Sequence, residues 1–351
     1  MSRFARPAPG NVSPVAQLPA ARGELSRLLL SELRREPHAL PAAPAPATDD
    51  PLGDEDLQLA LYLCYELHYR GLPGVDERWE WDPSLLGLRR EMERVFEDAV
   101  REVAGPDAQA DVAPEEMDLA LRTVIDADDA PSLSIYLERL GRLDQLLEFM
   151  VHRSAYHLKE ADPHSFAIPR LSGRPKAALV EIQADEYGGG RVERIHARLF
   201  AQTMEALGLD SRYGAYLDRI PAITLATVNL MSLLGLHRRW RGAIVGHLAF
   251  FEMTSPIPNR RYGGALRRLG FDERATAFFD EHVEADAVHE NIASVDLAGG
   301  LVAQEPRLAR DVLWGARALR EVDGRSASEV LAAWEAGSSS LREPLAAPAA
   351  A

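Results

Sequence analysis

A chain of 351 residues with 46% hydrophobic content can bury a large core, so a globular fold is expected. Its formal charge of -15 argues against partners such as the phosphate backbone of nucleic acid or an anionic membrane surface. A single cysteine, Cys64 within LALYLCYEL, excludes an intrachain disulfide and any cysteine-held zinc or iron-sulfur group, and reads as a core residue.

In chain order, residues 1–22 and 37–52 are rich in Pro and Ala, compositions that bury too little apolar surface to order themselves. Residues 1–52 therefore read as a largely disordered extension, interrupted at 23–35 by leucines at helical spacing (GELSRLLLSELRR) that form a helix able to dock on the body. The opening MSRFARPAPGNVS lacks the apolar segment of a secretion signal. The longest apolar run, Pro221 to Leu236, is too short, and too rich in Thr, Asn and Ser, to span a bilayer. A cytoplasmic protein is expected. One domain then occupies 53–340, and 341–351 reads as a disordered tail.

Within that domain, DEDLQLALYLCYELHYRG opens behind acidic residues and stops at Gly71 and Pro73, and a second amphipathic stretch runs from Pro83 to Val103. Gly, Pro and Asp breaks then delimit helices near 115–127, 131–161, 173–187, 191–207, 220–235, 238–254, 257–269, 272–296, 299–321 and 326–336. No segment alternates apolar and polar residues as a strand would, and no fixed-period repeat occurs. The reading is a single all-α bundle.

The chemistry concentrates at EHVEADAVHE, residues 281–290. On a helix, His282, Asp286 and His289 fall within about 60° of one another, so one face presents two imidazoles and a carboxylate. Asp286 and His289 also form the carboxylate-x-x-His unit with which bundles hold pairs of iron or manganese ions. In AFFEM, Glu252 stands among Phe250, Phe251 and Met253, where an unpaired carboxylate costs several kcal/mol; it needs a cation, either a metal or Arg260 or Arg261. In ALVEIQADEYGGGRVERIHARLF, Glu181, Asp185, Glu186 and Glu193 crowd toward His196. Glu193 has the literal Glu-x-x-His spacing, while Gly188, Gly189 and Gly190 separate it from Glu186, and the residues alone leave that choice open. Upstream, HRSAYHLKEADPH offers His152, Tyr156, His157, Glu160 and His164. His38 lies in the Pro/Ala linker, His237 lies among arginines, and His247 in AIVGHLAFF reads as a core histidine.

The stretches HRSAYHLKEADPHSFAIPRL, KAALVEIQADEYGGGR, NLMSLLGLHRRWRGAIVGHLAFFEMTS and EHVEADAVHEN closely resemble the iron-containing redox enzymes with a heme-oxygenase-like fold, the diiron oxidases and oxygenases of that kind. The likeness covers 148–297 strongly. It implies a heme-oxygenase-like helical bundle in which Glu160, Glu186, His196, Glu252, His282, Asp286 and His289 hold two irons, with Glu252 as the bridge and Glu186 preferred over Glu193. Four carboxylates would balance two ferrous ions, and three imidazoles complete a mixed shell suited to Fe(II)/Fe(III) or manganese. It further implies O2 as cosubstrate, a bridging peroxide as oxidant, and a small-molecule substrate that is an amine, an amino acid or a carboxylic acid. An external electron donor and a homodimer complete the expected partners. Glu281, Glu284 and Glu290 flank the ligand face and are candidates to orient its imidazoles. Three readings compete: a ferritin-like iron oxidase using Glu193 with His196, a heme-binding protein, and a non-enzymatic scaffold whose acids pair with the 39 Lys and Arg.

Overall fold

The computed structural model describes residues 17–42, 46, 48–105 and 112–345, and the side chains of 284–288 fall outside that description. Fifteen α-helices occur among them. α1 (Glu24–Glu32), α2 (Glu55–Glu66), α3 (Pro83–Ala104) and α4 (Met117–Asp126) form the N-terminal part. α5 (Leu133–Arg139), α6 (Leu143–His157), the single turn α7 (Asp162–Ser165), α8 (Gly173–Glu186) and α9 (His196–Ala206) follow. α10 (Ala222–Leu236), α11 (Arg241–Thr254), α12 (Pro256–Arg268), α13 (Glu273–Asn291), α14 (Gly300–Gln304) and α15 (Ala309–Glu335) complete the bundle, with a π-helix at Ile292–Gly299 between α13 and α14. The architecture is all-α, with no strand among the described residues. No helix there is long and apolar enough to cross a membrane.

Local chemistry accounts for several boundaries that differ from the sequence reading. The helix expected over 131–161 divides at Leu140 and Gly141, whose amides both bond to the Tyr136 carbonyl in a turn so tight against Leu137 that only glycine fits. The break expected near 322–325 is absent: Gly324 lies inside α15, at a cost of about 1 kcal/mol that packing against Ala130 offsets. The real interruption is at Glu305–Leu308, where Pro306 cannot extend the preceding helix. Asp54 and Asp82 cap α2 and α3 by accepting from backbone amides two and three residues on.

The N-terminal arm lies against the body. Asp56 of α2 accepts hydrogen bonds from the Leu25 and Ser26 amides, each at 2.8 Å, and so caps α1 from a neighbouring helix. Leu25, Leu29, Leu30 and Leu33 join the same core as α2 and α10. At the other end Leu341 is buried, and the Ser340 hydroxyl donates to Glu148 at 2.6 Å. Residues 1–16, 43–45, 47 and 346–351, to which disorder is assigned above on composition, lie outside the described residues. Cys64 is buried in the core.

Helices α11 and α15 cross at the centre, and two glycines make the crossing possible. A Cβ at Gly246 would overlap the Val312 carbonyl, and one at Gly315 would overlap the Ala243 carbonyl. This contact fixes α11, the helix that carries Glu252. Gly246→Ala should therefore destabilise the fold by about 1–3 kcal/mol through overpacking, read as a lower denaturation midpoint with an unchanged slope.

Candidate metal centre

Five elements bring acids and imidazoles to one buried locus. Glu160 follows α6, Glu186 ends α8, His196 begins α9, Glu252 lies on α11, and His282 and His289 lie on α13. Glu160, Glu186, His196 and His282 offer ligand atoms within 4.8 Å of one another, and Glu186, Glu252 and His289 do the same. Glu186 belongs to both groups. All six are buried, the three carboxylates at 6–8% exposure. Asp286, the seventh expected residue, is among the side chains outside the described residues.

The α8–α9 connection decides which glutamate meets His196. Gly188, Gly189 and Gly190 take φ values of 67°, 58° and 78°, a left-handed run that glycine tolerates. A Cβ at Gly188 would lie 2.6 Å from the Arg194 carbonyl carbon. The sharp turn leaves Glu193 exposed in a short 3-10 segment and faces Glu186 Oε2 toward His196 Nδ1 at 3.0 Å. Glu193 thus loses the helical register that its spacing suggested.

Each imidazole on α13 is oriented by a second contact. His282 donates from Nδ1 to the Phe278 carbonyl at 2.8 Å, which turns Nε2 toward Glu160 Oε1 at 3.7 Å. His289 meets Asp185 through Nε2 at 3.0 Å and presents Nδ1 to Glu252 Oε2 at 3.3 Å. Asp185 plays the orienting part that the sequence reading offered to Glu281 and Glu290. Those two pair with Arg194 and Arg122 at 3.0 and 2.6 Å instead, while Glu284 lies outside the described side chains. Glu252 faces His289, and Arg261 lies near Glu138 at 3.9 Å.

The electrostatics follow from burial among like charges. Burial works against the charged form of Glu160, but His157 and His282 outweigh it and hold the carboxyl below its usual range. For His289 burial favours the neutral ring, yet the hydrogen bond to Glu252 and the contact with Asp185 raise it to about 9. His196 is likewise raised, with Glu186 overcoming burial. Tyr156 is pushed well above the ordinary phenol by burial and then by Glu160, Glu186 and Glu252. Among the described residues, Glu160 Oε2 is buried with no hydrogen-bond partner. A buried carboxylate oxygen without a donor suits a cation, and the mixed carboxylate and imidazole set suits iron.

The sequence match decides the family. A model of the iron-containing redox enzymes matches residues 147–324, a span that holds all seven expected positions. The chain belongs to the iron-containing redox enzyme family. It is an oxidoreductase of heme-oxygenase-like all-α fold, with a buried Glu/His cluster compatible with iron. It is also 26% identical over 183 residues to a nitrosourea synthase of Streptomyces achromogenes subsp. streptozoticus, across 52% of this chain. That alignment covers 39% of the relative's length.

Beside the Glu/His cluster of this iron-containing redox enzyme lies a cavity of about 270 Å³. Glu160, Glu186, Glu252 and His282 line one part, and Tyr156, Leu248, Phe250 and Phe251 give it apolar walls. Tyr156 stacks on Phe251, with ring centres 5.9 Å apart. Arg153 also lines it and pairs with Asp323 at 3.3 Å. Of the remaining histidines, His164 and His247 form a buried pair at 3.1 Å, His152 bonds to Thr224 at 2.8 Å, and His237 to Glu93 at 3.0 Å.

The raised His289 has a signed consequence for the protein without metal. Its folded value of about 9 exceeds the ordinary 6.5, so its stabilising contribution is complete below pH 6.5 and is lost as pH rises toward 9. Thermal midpoints measured across that window should fall for the parent and fall less for His289→Gln.

Proposed function

We propose that this oxidoreductase is a nonheme diiron, O2-dependent oxidase or oxygenase acting on a small metabolite. The observation that carries the reading is that two buried constellations share Glu186. A carboxylate common to both would be able to serve two cations at once, a role that the resemblance gave to Glu252. One iron would be held by Glu160, Glu186, His196 and His282, the other by Glu186, Glu252 and His289, with Asp286 completing the set. Bound there, the pair of irons would supply the electrons and Lewis acidity that activate dioxygen for oxidation of the substrate.

The chain's own residues do the rest. The Phe278 carbonyl and Asp185 fix which nitrogen of His282 and His289 faces the centre. Phe250, Phe251 and Leu248 give the cavity an apolar wall, and Tyr156, its phenol raised by burial, stays a hydrogen-bond donor beside the carboxylates. Arg153 and Asp323 offer paired charges to a polar part of the substrate. The nitrosourea synthase likeness favours nitrogen-bearing compounds, amines and amino acids, as the first to screen, with carboxylic acids after them. An external electron donor is part of this reading wherever the substrate does not itself supply all the electrons.

Anaerobic titration should give two ferrous ions per chain. Glu186→Ala should lower occupancy at both positions, His282→Ala at one, and Glu193→Ala at neither. One equivalent in the parent, or loss of iron on removing Glu193 alone, overturns the reading and favours the ferritin-like alternative. A proton test is independent of activity. Because His289 is protonated at pH 7 without metal, iron binding must release its proton, and apparent affinity should rise about tenfold per pH unit through neutrality. Indicator-dye titration in weak buffer reads that release directly.

A further inference from the structure

Glu160 lies beyond the end of α6, so no helix fixes its side chain. Its backbone is held on both sides. Lys159 donates to the buried Glu66 at 3.0 Å, and Ala161 takes φ 73°, a conformation rare outside glycine, with its carbonyl accepting from the Gln183 amide at 2.8 Å. What these contacts leave undetermined is the rotation of the carboxylate about its own stem.

His157 removes that freedom. Its Nδ1 lies 2.7 Å from Glu160 Oε1, the shortest contact that either oxygen makes. The ring cannot swing away, because Phe200, Phe278 and Tyr156 surround it at centre distances of 4.9, 5.0 and 5.1 Å. A carboxylate oxygen at hydrogen-bond distance can only accept, so Nδ1 of His157 is the donor in this contact. Oε1 is thereby engaged, while Oε2 is buried without a hydrogen-bond partner.

We propose that His157 is a positioning residue for the metal centre: by holding Oε1 of Glu160 it presents Oε2 to the ion shared with Glu186, His196 and His282. The inference rests on the diiron reading above. It concerns a residue absent from the ligand set, and it acts only through Glu160.

The test is anaerobic ferrous titration of the full chain, with Mn(II) titration followed by the loss of free-ion EPR signal as a redox-silent second readout. His157→Ala should weaken one of the two sites about tenfold or more and spare the other. His157→Asn, whose side-chain amide can donate from about the position of Nδ1, should restore most of that loss. In a Glu160→Ala background, His157→Ala should cost nothing further, because the group it acts through is gone. Parent-like binding by His157→Ala overturns the proposal, as does an additive loss in the double variant, which would mark a packing role. If the parent binds neither ion, the diiron reading itself falls and takes this inference with it. A parent that binds two while His157→Ala also binds two with parent affinity sinks this inference alone.

Discussion

Moving a carboxylate from water to a protein interior costs several kcal/mol unless positive charge and hydrogen bonds replace the lost solvent. Glu160, Glu186 and Glu252 are all placed at one locus, each less than a tenth exposed. The chain could have matched them with arginine or lysine. It does so elsewhere: Glu66 is buried against Lys159, and Glu93 against Arg89 at 3.2 Å. Around the three glutamates it supplies imidazoles instead, which are charged only when protonated. The raised values of His196 and His289 are the consequence, since the neighbouring carboxylate favours the protonated form of each ring. Such an arrangement is a poor salt-bridge network and a good receptacle for divalent cations, which displace those protons and serve several carboxylates at once.

That constraint explains how the helices are used. Ligands on a single helix can present only one face, so enclosing an ion requires groups from several directions. Here they arrive from the ends of α6 and α8, the start of α9, the last turn of α11, and two positions along α13. The helix-end groups depend on special backbone, a left-handed Ala161 beside Glu160 and a left-handed glycine run after Glu186. The groups on α11 and α13 lie in regular helix, and α11 is held by its glycine-mediated crossing with α15. The rigid half of the centre is thus built from crossings and the rest from turns.

The legibility of these parts in the sequence follows the same division. His282 and His289 lie on one regular helix, so their spacing sufficed, and Glu252 announced itself as an acid inside AFFEM. Helix periodicity also exposed the all-α class and most elements. Glu186 could not be separated from Glu193 by spacing, because the answer lay in how three consecutive glycines turn the chain, a tertiary outcome that local pattern does not encode. Asp185 was hidden for a different reason: its partner His289 is 104 residues away, and an exposed Asp carries no sign of what it orients. His157 did carry a local signal, three residues before Glu160 at a helix end, yet it was masked by four other titratable candidates in the same stretch. The mistaken boundaries inside 131–161 and 299–336 arose where Gly141 ended a helix, where Gly324 did not, and where Pro306 broke one.

The π-helix that continues α13 extends this reasoning past the ligands. A π-turn has poorer backbone geometry than an α-turn and is uncommon beyond a single bulge, yet here it runs from Ile292 to Gly299. It survives because both of its flanks are buried: Ile292, Ala293, Leu297 and Ala298 join the main core, and a Cβ on Gly299 would lie 2.8 Å from the Pro114 carbonyl oxygen. Widening the helix changes the angular advance per residue, so the face that α14 presents is offset from the face that α13 would project in a straight α-helix. The ligand face of α13 and the packing face of the segment after it can then both point inward, toward α8 and α11. The offset comes only after His289, so it re-aims the buried face of 292–304 while His282 and His289 stay in the regular register of α13.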